Sequence, residues 1–175
     1  MLRALRGFLA TWREMHSGAS PAPPSAPPAA PPPAQMEAPP GASLSEQDRD
    51  ILVRTLYGEA RGETEAGQAA VVHVIRNRVL ARKTSAAIEC TRPWQFSCWN
   101  AGDPNLPKIV GLRPADPRYV KLGEVVDRAW RATDTVQGAR HYYAVSMPAP
   151  PSWARHPKAR RVAAIGGHVF LADVP

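Results

Sequence analysis

Apolar residues recur at helical spacing in three stretches of the chain. Leu44, Ile51, Leu52, Thr55 and Leu56 form a one-sided stripe around Ser45-Glu46-Gln47-Asp48, whose Ser-x-x-acid form caps a helix start, so the pattern predicts a short helix over Leu44 to Leu56. From Thr64 to Arg82 a longer helix is predicted, with Ala66, Ala69, Ala70, Val72, Ile75, Val79 and Leu80 on a broad apolar side whose small residues allow close packing on the first helix. Asp116-Pro117 reads as an N-cap followed by proline at the first helical position, and Val120, Val125, Val126, Ala129 and Trp130 carry a third helix to about Val136, with Gly138 ending it. Between the second and third helices, Lys83 to Pro117 loses helical period and gains Pro, Gly and Asp, which predicts a long irregular region. Two β-like runs, His141 to Val145 and Ala163 to Leu171, flank a proline-rich turn at Pro148 to Trp153 and predict a small antiparallel pair. The fold class is mostly α with a minor β element, and there are no internal repeats.

Composition divides the chain. Ten of its 20 prolines lie between Pro21 and Pro40, in a Pro/Ala/Ser tract whose only charge is Glu37. Such a tract buries too little apolar surface to offset chain entropy, so residues 17–43 are read as a linker. Residues 1–16 form a short amphipathic segment, with Leu2, Leu5, Leu9 and Trp12 at helical spacing among arginines. That segment is too short to span a bilayer and too interrupted for a signal-peptide core, which leaves a frayed terminus as the first reading, a weak membrane-surface or partner-docking helix as the alternative, and no legible export route. Residues 44–175 remain as one folded domain, expected to be a monomer. Removing Arg3, Arg6 and Arg13 from the 22 basic residues, and Glu14 and Glu37 from the 15 acidic ones, leaves the domain with 19 against 13, a balance of +6. That surface suits an anionic polymer, and no nucleic-acid recognition motif accompanies it.

Chemistry concentrates at Tyr57-Gly58-Glu59-Ala60-Arg61-Gly62-Glu63, two carboxylates four residues apart in a stretch with two glycines. Glu59 falls near the end of the first helix, where the helix dipole disfavours a further negative charge, and Glu63 near the start of the second, where it favours one. Acids in opposed fields are the usual preparation for proton transfer. Arg61 and Asn77 are read as supporting residues, and His73 as a satisfied structural group. In the irregular region, Trp94-Gln95-Phe96-Ser97-Cys98-Trp99-Asn100 interleaves rings with amides and hydroxyls, as a sugar-binding groove requires. One ring is expected to be buried, with Gln95 and Trp99 nearer the groove. Cys90 and Cys98 could close a disulfide loop in an oxidising compartment, or stay unpaired in a reducing one. They lack the paired spacing of a zinc site, and no metal or other cofactor is expected.

With Gly67-Gln68, Ile75-Arg76-Asn77-Arg78-Val79, Gln95-Phe96-Ser97, His141-Tyr142-Tyr143, Trp153-Ala154 and Ile165-Gly166-Gly167-His168-Val169-Phe170 following in order, the Glu59 stretch resembles the SleB-like cell wall hydrolases, the family of the spore cortex-lytic enzymes. The resemblance covers nearly all of Leu44 to Phe170 and departs at Ala144-Val145, where many members carry Asn-Pro. It implies a lysozyme-like fold related to lytic transglycosylases, peptidoglycan glycan strands as partner, and Glu59 as catalytic acid. It further implies substrate contacts from Gln95, Phe96, Trp99, His141, Tyr142, Tyr143 and His168. The site of action implied is the cell wall or periplasm, in a bacterial or phage setting. The leading reading is a lytic transglycosylase cutting between N-acetylmuramic acid and N-acetylglucosamine. A muramidase would need a second carboxylate roughly 5 to 9 Å from the first, for which Glu63 is the nearest candidate. Further alternatives are a metal-dependent amidase built on His73, His141 and His168, and a non-catalytic wall-binding module.

Overall fold

The computed structural model describes residues 43–175; segment 1–16 and residues 17–42 of the linker lie outside the described residues. Three long helices dominate, as the stripes predict. Helix α1 spans Glu46–Ala60, with Ser45 Oγ accepting from the amide of Asp48. Helix α2 spans Glu65–Arg82, capped by Thr64 and ended by Lys83 in the left-handed region. The two short helices that follow, α3 (Ala86–Cys90) and α4 (Leu106–Val110), together with a 3-10 turn at Ser97–Trp99, occupy the stretch that reads as irregular. Helix α5 spans Pro117–Arg131.

Two helix ends differ from the sequence pattern, and each difference has a tertiary cause. Helix α1 runs four residues past Leu56, because Arg61 donates to the carbonyls of Tyr57 and Gly58, and the Gln68 amide donates to that of Ala60. Helix α5 stops at Arg131 instead of about Val136. Arg76, buried in α2, donates to the carbonyls of Ala129, Trp130 and Ala132, and thereby takes up the last acceptors of α5. The next residues turn around Asp134, which accepts from the amides of Val136 and Gly138.

Helix α1 is the centre of the domain and packs against all four other helices. Its Leu52, Val53 and Leu56 are fully buried, against Val71, Val72 and Ile75 of α2 and Leu122, Val125 and Val126 of α5. The region between α2 and α5 closes the same core with Cys90, Phe96, Cys98 and Ile109, so it is a wrapped wall of short segments and not an external loop. Its pieces are held from α1: Asp48 accepts from Ala87 N, and Arg54 donates to the carbonyls of Ile109 and Val110.

The β element is a three-stranded antiparallel sheet in the order β1-β3-β2, with β1 at His141–Ala144, β2 at Arg160–Ile165 and β3 at His168–Ala172. The sequence pattern predicts one strand from Ala163 to Leu171; the structure breaks it at Gly166-Gly167, so its halves pair as a hairpin. Gly166 has φ +57, and a Cβ there would run into the carboxylate of Glu63. The sheet's two faces have different company. Tyr142 and Phe170 point to Ala70, Val74, Val136 and Ala139, whereas Tyr143, Val169, Leu171 and Val174 gather with Trp153 on the other side.

Candidate active site

Glu59 stands in the last turn of α1, half-buried. The residue before it is a glycine for a packing reason: a Cβ on Gly58 would lie 2.6 Å from Cys98 Cβ and 2.8 Å from Cys98 Sγ. That close approach lays the 97–99 turn on the end of α1 and brings the Cys98 thiol against the Glu59 carboxyl. From the sheet, Tyr142 Oη donates to Glu59 Oε2 at 3.2 Å. The Tyr142 ring is itself held edge-on by His168, at 5.0 Å between centroids, and by Phe170 at 5.9 Å. Burial, and then the charge of Glu59, push the Tyr142 phenol well above its usual range, so it stays a protonated donor. Burial and then Glu59 push the Cys98 thiol up as well. One carboxyl is thus positioned by a helix end, a loop and a strand, with Oε1 left clear of the Tyr142 hydrogen bond.

Glu63 is committed elsewhere. It precedes the α2 cap, and its Oε2 accepts from Gly167 N at 2.8 Å, while Oε1 lies 3.8 Å from His168 Nδ1. Gln68 ties down the same turn by donating to the carbonyls of Ala60 and Glu63 at 3.2 Å each. Glu63 therefore clamps the β2–β3 hairpin, and with it His168 and Tyr142, onto the turn that carries Glu59. Glu63→Gln is expected to keep wall lysis within about tenfold, because an amide oxygen can still accept from Gly167. Glu63→Ala should cost about 1–3 kcal/mol of stability by leaving that amide unpaired. Thermal melting and turbidity loss of sacculi check both; a Glu63→Gln loss as deep as that of Glu59→Gln would give Glu63 a proton-transfer role.

The remaining expected residues separate into those near Glu59 and those that are not. Arg61 braces the helix end: its Nη1 donates to Tyr57 O at 3.1 Å and its guanidinium stacks over the Tyr57 ring, which Arg118 also covers. Asn77 donates to Asp134 and to Ala139 O, and so holds the turn after α5 rather than the site. Gln95 is half-exposed, its amide oxygen accepting from Arg82. Phe96, expected to touch substrate, is 2 % exposed and forms part of the core, with the Arg78 guanidinium over its ring. Trp99 is packed on that core, its indole donating to Thr55 Oγ1 at 2.9 Å. His141 and Tyr143 alternate with Tyr142 along β1 and lie against Trp153. Burial beside Arg78, Arg140 and Arg82 holds His141 down to about 4, hence neutral at neutral pH. His168 is buried between Glu63 and Tyr142, where it positions them.

Cys90 and Cys98 are buried free thiols and not a disulfide. Each has its own partner, Thr55 for Cys90 and Glu59 for Cys98, and burial pushes Cys90 up to about 12. His73 bonds Thr135 and Ala129 O, as a structural group does, so both of its ring nitrogens are engaged. Among the described residues, no three His, Cys, Asp or Glu side chains are placed to share a metal ion. A cavity of about 550 Å³ is lined by Tyr57, Arg61, Glu63, Gln68, Arg118 and Lys121. Glu59 does not line it, and its walls present no carboxyl free of a partner: Glu63 holds Gly167, and Glu65 pairs with Arg128. The chemistry converges instead on Glu59, where Tyr142 and Cys98 meet the carboxyl. The sequence reading missed Gly58 as the seat of Cys98 and Gly167 as the partner of Glu63; Gly58 inside a helical stripe was the available signal.

A family model described as cell wall hydrolase matches residues 62–171. The chain belongs to the cell wall hydrolase family. The match takes in Glu63, Tyr142 and His168 and begins just after Glu59. Two solved structures share the fold of this cell wall hydrolase. The catalytic domain of the Bacillus cereus SleB protein is 24% identical, with a TM-score of 0.60 over 75% of this chain and 94% of that one. The catalytic domain of the germination-specific lytic transglycosylase SleB from Bacillus anthracis is 25% identical, with a TM-score of 0.58 over 77% of this chain and 100% of that one. No curated protein matches the chain. The fold expected from the resemblance is therefore the fold observed, with a three-stranded sheet in place of the expected pair.

Proposed function

We propose that this cell wall hydrolase cleaves the bond between N-acetylmuramic acid and N-acetylglucosamine in peptidoglycan as a lytic transglycosylase, with Glu59 as its single acid and base. The observation that carries the reading is the unequal state of the two acids in one turn. Glu63 is spent on the backbone amide of Gly167, whereas Glu59 meets, among the described residues, only the side-chain groups of Tyr142 and Cys98. The likeness to a lytic transglycosylase at 25% identity supports the same reaction type.

The chemistry needs one carboxyl because the nucleophile belongs to the substrate. Protonated Glu59 gives its proton to the glycosidic oxygen as the bond to the anomeric carbon breaks. The carboxylate left behind is held by Tyr142 Oη and takes a proton from the sixth-carbon hydroxyl of the muramyl residue. That oxygen closes on the anomeric carbon, forming an anhydro ring, and Glu59 is protonated again. No water is consumed and no cofactor takes part. A muramidase would instead need a second acid to serve as nucleophile or to hold a water, and the nearest candidate for it, Glu63, is engaged with the hairpin. The substrate sets the site of action at the cell wall or periplasm. Turbidity loss of purified sacculi, wild type against Glu59→Gln, tests the reading: the variant should be inert, and an active variant would refute it.

A further inference from the structure

The three aromatic residues between Pro93 and Asn100 divide in a way that sequence reading inverts. Phe96 and Trp99 are packed inward, and Trp94 is 87% exposed. Its backbone is unusual too, with φ +64. The amide of Gln95 bonds the carbonyl of Arg92, so Arg92-Pro93-Trp94-Gln95 is a β-turn with proline at its second position and a positive φ at its third. Glycine is the residue that this third position favours, because a Cβ is strained there. Backbone economy would choose glycine, and core packing would bury the ring. Trp94 satisfies neither demand, and it alone among the positive-φ residues Lys83, Trp94, Gln137 and Asp173 is a large ring set in solvent, which directs attention to a contact outside the fold.

We infer that Trp94 is a stacking platform for a pyranose ring of the same glycan strand that meets Glu59. The inference rests on the glycan-cleaving reading of the Glu59 site. Three features of the loop select a sugar. Trp94 is flanked by polar groups that can reach hydroxyls: the half-exposed Gln95 amide and the exposed Arg92 and Ser97. An indole face covers the apolar C–H face of a pyranose while such groups pair with its rim. The same short segment continues to Cys98, which touches Gly58 and Glu59. Four residues of chain reach at most about 14 Å, so Trp94 stands within a few sugar rings of the acid. Its neighbour Phe96, locked in the core under Arg78, anchors the turn that presents it.

Binding measured without turnover tests this. The full chain carrying Glu59→Gln is titrated by calorimetry with peptide-free glycan strands prepared from amidase-treated sacculi, alone and with Trp94→Gly, Trp94→Phe or Val120→Ala added. Val120 is an exposed apolar residue on α5 and serves as the control. Trp94→Gly should weaken binding roughly tenfold, the scale of one lost aromatic contact. Its melting temperature should hold or rise, since glycine relieves the positive φ. Trp94→Phe should keep most of the affinity, and Val120→Ala all of it. Undiminished binding by Trp94→Gly overturns the inference. So does an equal loss in the Gly and Phe variants, or a Trp94 dependence seen with phosphatidylglycerol vesicles and not with glycan. Loss of lysis on Glu59→Gln together with unchanged binding on Trp94→Gly would remove the platform alone; retained lysis on Glu59→Gln would remove the reading of the site beneath it.

Discussion

Glu59→Gln is expected to fold as the parent does and to lose wall lysis by about 100- to 10,000-fold, the range that a positioned general acid and base contributes. The fold should survive because the amide is nearly isosteric and its oxygen can still accept from Tyr142 Oη, now 3.2 Å from the carboxylate. Glu59 is half-buried in the last turn of α1, so no core packing depends on its charge. The loss follows because an amide has no proton to give the glycosidic oxygen and no basicity to recover one. Turbidity decrease of sacculi gives the rate and circular dichroism the fold. More than about a tenth of the parental rate in a folded variant would remove Glu59 from the reaction.

Gly58→Ala should damage stability and activity together. The added Cβ would fall 2.6 Å from Cys98 Cβ, an atom that cannot swing aside because its own backbone fixes it. Overpacking of this kind costs about 1–3 kcal/mol, against about 1 kcal/mol gained from the better helix propensity of alanine. A backbone-anchored clash belongs at the upper end, so a net loss of about 2 kcal/mol is expected, several degrees in melting temperature for a domain of this size. The 97–99 turn must also shift off α1, and the Cys98 thiol then leaves Glu59. Adding Cys98→Gly removes the clashing Cβ and should restore the melting temperature but not the full rate. Unchanged melting and lysis in Gly58→Ala would mean that the loop is not seated as described.

Local pattern made the long helices legible, because the stripes of α1, α2 and α5 each face one core. Their ends were less legible, since the residues that stop or extend them are distant: Arg76 terminates α5 from α2, and Gln68 extends α1 from beyond the turn. Helices α3 and α4 left no periodic trace, being five residues each and held by Asp48 and Arg54 of α1. At the site, Glu59 and Tyr142 stand out as the acid of a motif and the middle of a β-like run. The role of Glu63 could not be read, because its partner Gly167 is 104 residues away. Nor could the sorting of Trp94, Phe96 and Trp99, where neighbouring rings of similar polarity differ only in which way a strained turn directs them.

The fate of solvent oxygen tests the single-carboxyl account most directly. Sacculi are digested with the full chain in water enriched in heavy oxygen, and the released muropeptides are weighed by mass spectrometry. If the muramyl hydroxyl is the nucleophile, the new ends are anhydro sugars, lighter than reducing ends by one water and free of heavy oxygen. Reducing muramyl ends carrying one heavy oxygen each would show that water attacks, and would contradict the single-carboxyl account by requiring a second catalytic group beside Glu59.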